Sequence, residues 1–372
     1  MPLLREQARE ADSQRRLPEA VHRAMLEAGL YRVYVPRRYQ GRQAGYWEGA
    51  EIAFALGQGC ASVAWVASVA ASHAWVQGMM DEKAQDEVWK ERPDAFIASA
   101  SWGPQSKAES VAGGFVLEGS WRFASGVDYA DWAHFNLFLP GGLGHRFALV
   151  PRRDFAIADD WHATGLRGTG SHSISVKTLF VPAYRTLNSH ECKGAATAGS
   201  RAHGGTLYRL PLYGLFGLGL VAPAVGAARG AWLEIAGPLR AARRASTGAK
   251  LADQPTAQVR IAESEAEIDA AQALLRATCE EADRIAGEDR VPADEIRYRW
   301  RRNTAYAAQL CVRAVERLYP LGGASGLDQH NAFQRHFRDV HAIAAHIALS
   351  WDIQAVNYGM VALGGPSPDP KI

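Results

Sequence analysis

Three patterns of apolar and polar positions follow one another along the chain. Up to about residue 95 the apolar positions recur at helical spacing. The stretch LPEAVHRAMLEAGLYRVYVP predicts an amphipathic helix that stops at Pro36. GYWEGAEIAFALGQGCASVAWVASVAASHAWVQGMM, apolar nearly all round, predicts buried helices. From residue 96 the segments become short, β-branched or aromatic, and punctuated by Gly and Pro: AFIASASW, GGFVLEGSWRFASGV, WAHFNLFLP, HRFALVP and SHSISVKTLFVP. These predict an antiparallel β domain. A loop, ECKGAATAGSRAHGG, leads into a second helical part with four long segments: one ending near Leu251, then 256–287, 292–318 and 331–365. Long helices with short connections predict an antiparallel bundle. The expected fold class is α+β, mainly α. Its parts are an N-terminal helical domain over 1–95, a middle antiparallel β domain over 96–200 and a C-terminal four-helix bundle over 207–372.

Composition narrows the picture. A chain of 372 residues, 48% hydrophobic, can bury a large core. A net charge of +2 with dispersed basic residues leaves no footprint for nucleic acid or an anionic membrane. No apolar run approaches the ~20 residues that span a bilayer. The charged N-terminus lacks the apolar core of a secretory signal, so a cytoplasmic location is expected. Cys60, Cys192, Cys279 and Cys311 are far apart, with neither CxxC nor metal spacing, which fits a reducing compartment and no metal. Eleven tryptophans point to a large aromatic interior or an aromatic-binding pocket.

The stretch DWHATGLRGTGSHSISVKTLFVP has the glycine density of a phosphate cradle. Gly165–Ser171 lacks the preceding strand and following helix of a P-loop or dinucleotide fingerprint and lies between strands instead. It reads as a tight loop tied down by Arg167, or as part of a pocket wall. Helices, then a β domain, then a four-helix bundle is an uncommon order. Five segments occur in register with that order: WRFASGVDYADW (121–132), GLRGTGSHSISVKTLFVP (165–182), RASTGAKLADQPTAQ (244–258), LGGASGL (321–327) and RDVHAIAAHIALSWD (338–352). With them the chain resembles the acyl-CoA dehydrogenase fold. Within that fold it is most similar to the two-component flavin-dependent aromatic monooxygenases, which include 4-hydroxyphenylacetate 3-hydroxylase oxygenase components and indole oxygenases.

The resemblance implies roles for particular residues. The segment from Trp121 to Gly126 would run beside the flavin ring, with the Ser125 hydroxyl at the N5 edge; a plain turn after a strand is the other reading. Oxygen adds to reduced flavin at C4a, and the C4a-hydroperoxyflavin decays to peroxide unless N5 stays protonated and water stays out. Ser99 and Ser101 would face flavin or substrate, or belong to a half-exposed strand. A lone histidine on an apolar helix is commonly a bonded core residue. The resemblance instead implies that His346 is a base or substrate anchor and His73 a second pocket residue. His341 competes with His346, since residues at i and i+5 cannot both point into one site. Arg244 would pair with flavin phosphate, although Thr247 stands where the dehydrogenases stack an aromatic ring on adenine. Gly322, Gly323 and Ser325 would let backbone amides approach the cofactor tail, or simply make a helix–helix turn. Trp65, Trp75, Tyr213 and Phe216 would line the substrate pocket, or be plain core.

The leading expectation is an oxygenase component that hydroxylates or epoxidises a small phenol- or indole-type substrate with O2 and reduced FAD or FMN. No dinucleotide fingerprint appears, so a separate flavin reductase is expected. The alternative is an acyl-CoA dehydrogenase-type oxidoreductase, whose late Glu-Gly-Thr segment is missing from SWDIQAVNYGMVALGGPSPDP. A non-catalytic helical scaffold is the third reading. No Arg or Lys stands out for a substrate carboxylate, so a neutral substrate is expected. The apolar breadth of the last helices predicts a homotetramer, a dimer of dimers.

Overall fold

The computed structural model describes residues 1–372 apart from Ser101, Trp102, Gln105, 140–143, 244–246 and Pro370. Ser101 and Arg244, both expected at the cofactor, therefore lie outside the described residues. The chain begins with five helices: α1 (Pro2–Gln14), α2 (Glu19–Glu27), α3 (Tyr46–Gly57), α4 (Ala61–Gly78) and α5 (Glu82–Trp89). Every residue of α4 is buried, as its all-round apolar pattern requires.

Eight strands follow: β1 (Ile97–Ala100), β2 (Lys107–Val111), β3 (Gly114–Ala124), β4 (Trp132–Leu139), β5 (Gly144–Pro151), β6 (Ala156–Ala158), β7 (His172–Pro182) and β8 (Thr186–Asn188). They form two four-stranded sheets, ordered β1-β4-β5-β8 and β2-β3-β7-β6. The expectation of a wholly antiparallel domain needs one correction. β1 and β4 pair in parallel, Ile97 opposite Trp132 and Ser99 opposite His134. The chain leaves β1, builds the β2–β3 hairpin in the other sheet, and returns beside β1 running the same way. Strand alternation gives the first sheet two apolar faces. Ile97, Phe147, Leu149 and Leu187 join the helical core, whereas Ala98, Ala133, Phe135 and Val150 join the core between the sheets.

After a single helical turn, α6 (Ala198–Arg201), come α7 (Leu212–Leu239), α8 (Pro255–Gly287), α9 (Asp294–Leu318), α10 (Ala332–Ala344) and α11 (Trp351–Ala362). Two expectations are revised. α7 ends at Leu239, just past Pro238, rather than near Leu251. The last expected helix is broken between Ala344 and Trp351. The break holds because side chains replace lost backbone bonds: His346 Nδ1 accepts from Ala348 N–H at 3.1 Å, and Gln354 Nε2 donates to the Ile347 carbonyl at 3.2 Å. The N-terminal and C-terminal helices do not close separate cores. Residues of α3 and α4 pack in one cluster with those of α7, α8 and α9. α7 is long and apolar enough to cross a membrane, and most of that stretch is buried inside this fold.

Candidate active site

Strand β3 prepares the first wall. Its register with β7 slips between Trp121 and Ala124, and Phe123 takes a left-handed φ of 72°. A bulge of this kind re-aims the side chains that follow it. Ser125 thereby turns inward and is buried. Gly126 follows at φ 72°, where a Cβ would sit 2.7 Å from Phe96 and 2.9 Å from Val66. Only glycine fits that position.

Ser125 belongs to a chain of hydroxyls with a fixed direction. Thr169 Oγ1 donates to the Leu166 carbonyl at 2.8 Å. Its single proton is then spent, so Ser171 must donate across the 2.6 Å contact to Thr169. Ser125 must in turn donate across the 2.7 Å contact to Ser171. Trp65 Nε1–H, 3.0 Å away, donates to Ser125 Oγ. Every proton in the chain is committed, and Ser125 keeps one lone pair free for a further donor. The glycine-rich loop supplies Thr169 and Ser171 and is itself clamped. Leu166, at φ 52°, donates its N–H to Asp339 Oδ1 at 2.6 Å. At Gly165 a Cβ would overlap the Arg338 carbonyl of α10. Its glycine content serves close packing.

The helical wall carries His346. Its ring centroid lies 6.1 Å from that of Trp65. Because Nδ1 accepts from Ala348 N–H, the neutral ring holds its proton on Nε2 and presents a donor. Burial and the nearby Arg301 lower its pKa to about 4, so the ring is neutral near pH 7. This geometry suits anchoring through a donated hydrogen bond; the alternative role of base does not fit a protonated Nε2. His341 turns elsewhere: Nδ1 bonds the Phe337 carbonyl at 2.8 Å and Nε2 lies 3.2 Å from Glu316.

His73 shows the opposite polarity. Nδ1–H donates to the Ile97 carbonyl at 2.8 Å, which leaves Nε2 as an acceptor. Burial lowers its pKa to about 4. Its ring stands edge-on to His134 at 6.2 Å. His134 donates through Nε2 to Gln77 Oε1 at 3.1 Å, and its Nδ1, like Asn136 Oδ1, is buried without a partner among the described residues. Ser99, paired with His134 in the ladder, shares that face.

Other expected residues separate. Trp121 is fully buried between the sheets, its Nε1 bonded to the Asn136 carbonyl at 2.8 Å, and is corrected from cofactor contact to core. Trp75 is likewise core, fully buried and bonded to the Leu207 carbonyl. Tyr213 is half-buried, with its hydroxyl 3.1 Å from His145 Nδ1. Phe216 packs half-buried on the helical core. Gly322, Gly323 and Ser325 sit in a tight-turn segment, Tyr319–Leu327, where Gly323 and Ser325 are exposed. Among the described residues no hydrogen bond joins that segment to the Ser125–His346 group. Ser171, Thr169 and His134 went unrecognised in the sequence. The signal for the first two was present, since their hydroxyls alternate with glycine directly before a strand.

Families of known proteins match on both sides of the sheets. Residues 3–90 match the acyl-CoA dehydrogenase N-terminal domain and residues 218–351 the acyl-CoA dehydrogenase C-terminal domain. The oxygenase component of an FADH2-dependent resorcinol hydroxylase from Rhizobium sp. (strain MTP-10005) is 34% identical, over 97% of this chain and 91% of its own. The chain belongs to the flavin-dependent monooxygenase oxygenase components of the acyl-CoA dehydrogenase fold. Another such oxygenase component, that of p-hydroxyphenylacetate 3-hydroxylase from Acinetobacter baumannii, is 33% identical over 100% of this chain and 89% of its own. The crystal structure of 3-HSA hydroxylase from Rhodococcus sp. RHA1 superposes with a TM-score of 0.93 at 30% identity, covering 100% of this oxygenase and 96% of that chain.

Proposed function

We propose that this oxygenase hydroxylates or epoxidises a small phenol- or indole-type ring, using O2 and reduced FAD or FMN delivered by a separate flavin reductase. The observation that carries the reading is the directed hydroxyl chain, which leaves Ser125 a lone pair to accept a further hydrogen bond. A hydroxyl that can only accept is suited to a protonated ring nitrogen of reduced flavin, so these residues fit the cofactor. Ser125 and Ser99 would hold the ring, while the Gly322–Ser325 turn and Arg244 would hold the phosphate tail. When bound, reduced flavin supplies the electrons that activate O2 and delivers one oxygen atom to the substrate.

The protein's own part is to place groups and keep water out. Ser125 would accept a hydrogen bond from a protonated ring nitrogen of the flavin and so help to keep that proton in place. His346 Nε2–H donates to an oxygen on the substrate ring and fixes its orientation. His73 Nε2 can accept a second hydrogen from the ring. Trp65 closes the space between Ser125 and His346 with an apolar face. A cytoplasmic homotetramer completes the proposal. α11 and its flanks expose Ile347, Ile353, Val356, Met360 and Leu363, an apolar face that a neighbouring subunit would cover.

Turnover with a generic flavin reductase, FMN or FAD, and a panel of phenols and indoles under 18O2 tests the reading. One labelled oxygen in the product is expected. Flavin bleaching by an acyl-CoA, with no ring product, would replace this reading with the dehydrogenase one.

A further inference from the structure

Helix α9 carries a run of basic residues, and most find acids. Arg299 bonds both oxygens of Glu281 at 2.6 and 2.8 Å, Arg313 lies 2.8 Å from Glu267, and Arg317 is 2.6 Å from Glu267 and 2.9 Å from Glu263. Arg302 turns onto the Tyr358 ring, 4.3 Å from its centroid. Arg301 differs. Its helical phase puts it with Tyr298, Thr304, Ala305 and Ala308, all fully buried. Its guanidinium has only neutral partners: Nε donates to Gln354 Oε1 at 2.9 Å, and Nη1 donates to the Tyr213 carbonyl at 2.8 Å. Among the described residues no carboxylate lies within 4.0 Å of it, and Nη2 has no hydrogen bond. The acid that acts on it most is Asp369. That carboxylate is already occupied by Lys371, with the backbone N–H at 3.0 Å and the ammonium at 3.6 Å.

The Arg301 side chain is half-buried, and a guanidinium whose hydrogen-bond partners are all neutral is free to take up an anion that reaches it. The surroundings indicate which. Gln354 ties Arg301 to the His346 segment, because its other end holds the Ile347 carbonyl. Tyr213, whose main-chain carbonyl Arg301 bonds, stacks its ring on Phe147 with centroids 6.3 Å apart. Arg301 thus links the segment of the proposed substrate anchor, through Gln354, to the main chain of an aromatic pair. From this placement we infer that Arg301 receives an anionic oxygen of the substrate, so that the oxygenase prefers aromatic acids or ionised phenols to neutral rings. Burial lowers the pKa of Arg301, and its charge in turn helps to lower that of His346, which is consistent with the closeness of the two groups. Flavin phosphate offers the same chemistry. The aromatic pair and the link to His346 favour the substrate.

The inference rests on the oxygenase reading, but binding without turnover tests it separately. A failure to hydroxylate would sink that reading and leave this measurement standing. Tryptophan-fluorescence titrations of 4-hydroxyphenylacetate and 4-hydroxyphenylacetamide compare an anion with its neutral isostere. The wild-type protein should bind the acid about 10- to 100-fold more tightly than the amide, the range for a charged hydrogen bond. Arg301→Gln should abolish that preference while leaving amide and FMN affinities within about two-fold, and Arg301→Lys should keep part of it. No acid preference in the wild type, including no binding of the acid, overturns the proposal whether or not Arg301→Gln folds. Equal losses for acid and amide would make Arg301 a packing residue. Loss of FMN affinity with the acid preference intact would assign it to the cofactor.

Discussion

On the sheet wall of the site, Ser125, Ser171 and Thr169 and, reaching over from α4, Trp65 are joined by contacts of 2.6–3.0 Å, and the backbone beside them is fixed by a bulge and by glycine. On the helical wall, His346 and Arg301 stand on a broken helix and on α9, tied together through one glutamine. The first wall is made of groups that do not titrate near neutrality, and its geometry follows from chain conformation. The second is made of ionisable groups whose state depends on burial and on one another. The comparison teaches how the proposed site would divide its work: a fixed hydroxyl acceptor for the cofactor on one wall, and a neutral imidazole donor and a guanidinium for the substrate on the other.

Acid should expose that division most strongly. His73 and His346 have folded pKa values of about 4, below the ordinary 6.5. The unfolded chain therefore binds more protons between these values, and stability contributed by the neutral rings is lost as pH falls from about 6.5 towards 4. Each pKa unit is worth about 1.4 kcal/mol. Burial raises Asp339 to about 6, and it works in the opposite sense over part of this range. The net expectation is a falling melting temperature between pH 6.5 and 4. A flat profile would mean that the histidines are already charged in the fold.

Gly126→Ala attacks the sheet wall and should cost about 2–4 kcal/mol, from left-handed strain plus overlap with Phe96 and Val66. Chemical denaturation measures this, and a loss below about 0.5 kcal/mol would show that the wall yields. On the helical wall, His346→Ala should slow hydroxylation about 10- to 100-fold, the worth of one hydrogen bond to a charged oxygen. His341→Ala should stay within about two-fold. Single-turnover rates of the two variants decide between them; a reversed order would move the anchor to His341. The smallest effect separates Ser125 from its supports. Ser125→Ala should raise the hydrogen peroxide released per flavin, and Ser171→Ala should do so by less, because a Ser125 freed from its partner can still present a lone pair part of the time. Equal peroxide from wild type and both variants would end the acceptor role.

Much of this was readable before folding. Periodicity identifies helices, strands and a second set of helices, and five ordered segments carry the family resemblance. It also places His73 on a helix that is buried throughout. Trp121 and Trp75 illustrate the limit. An aromatic residue at a strand or helix position has the same pattern whether it faces a ligand or another sheet, and only the packing of β3 on β4 puts Trp121 into the inter-sheet core.

The sequence by itself determined which residues could do chemistry and the order of the elements bearing them, because apolar periodicity and turn residues act locally. Three things awaited the tertiary structure. The break at His346 depends on Gln354 and Ala348 restoring lost backbone bonds. The direction of the hydroxyl chain depends on Thr169 meeting the Leu166 carbonyl. The neutral partners of Arg301 depend on Gln354 and the Tyr213 main chain meeting it. In each case the outcome turns on which partner a polar group finds, and hydrogen bonds between distant segments form only when the whole core brings those segments together.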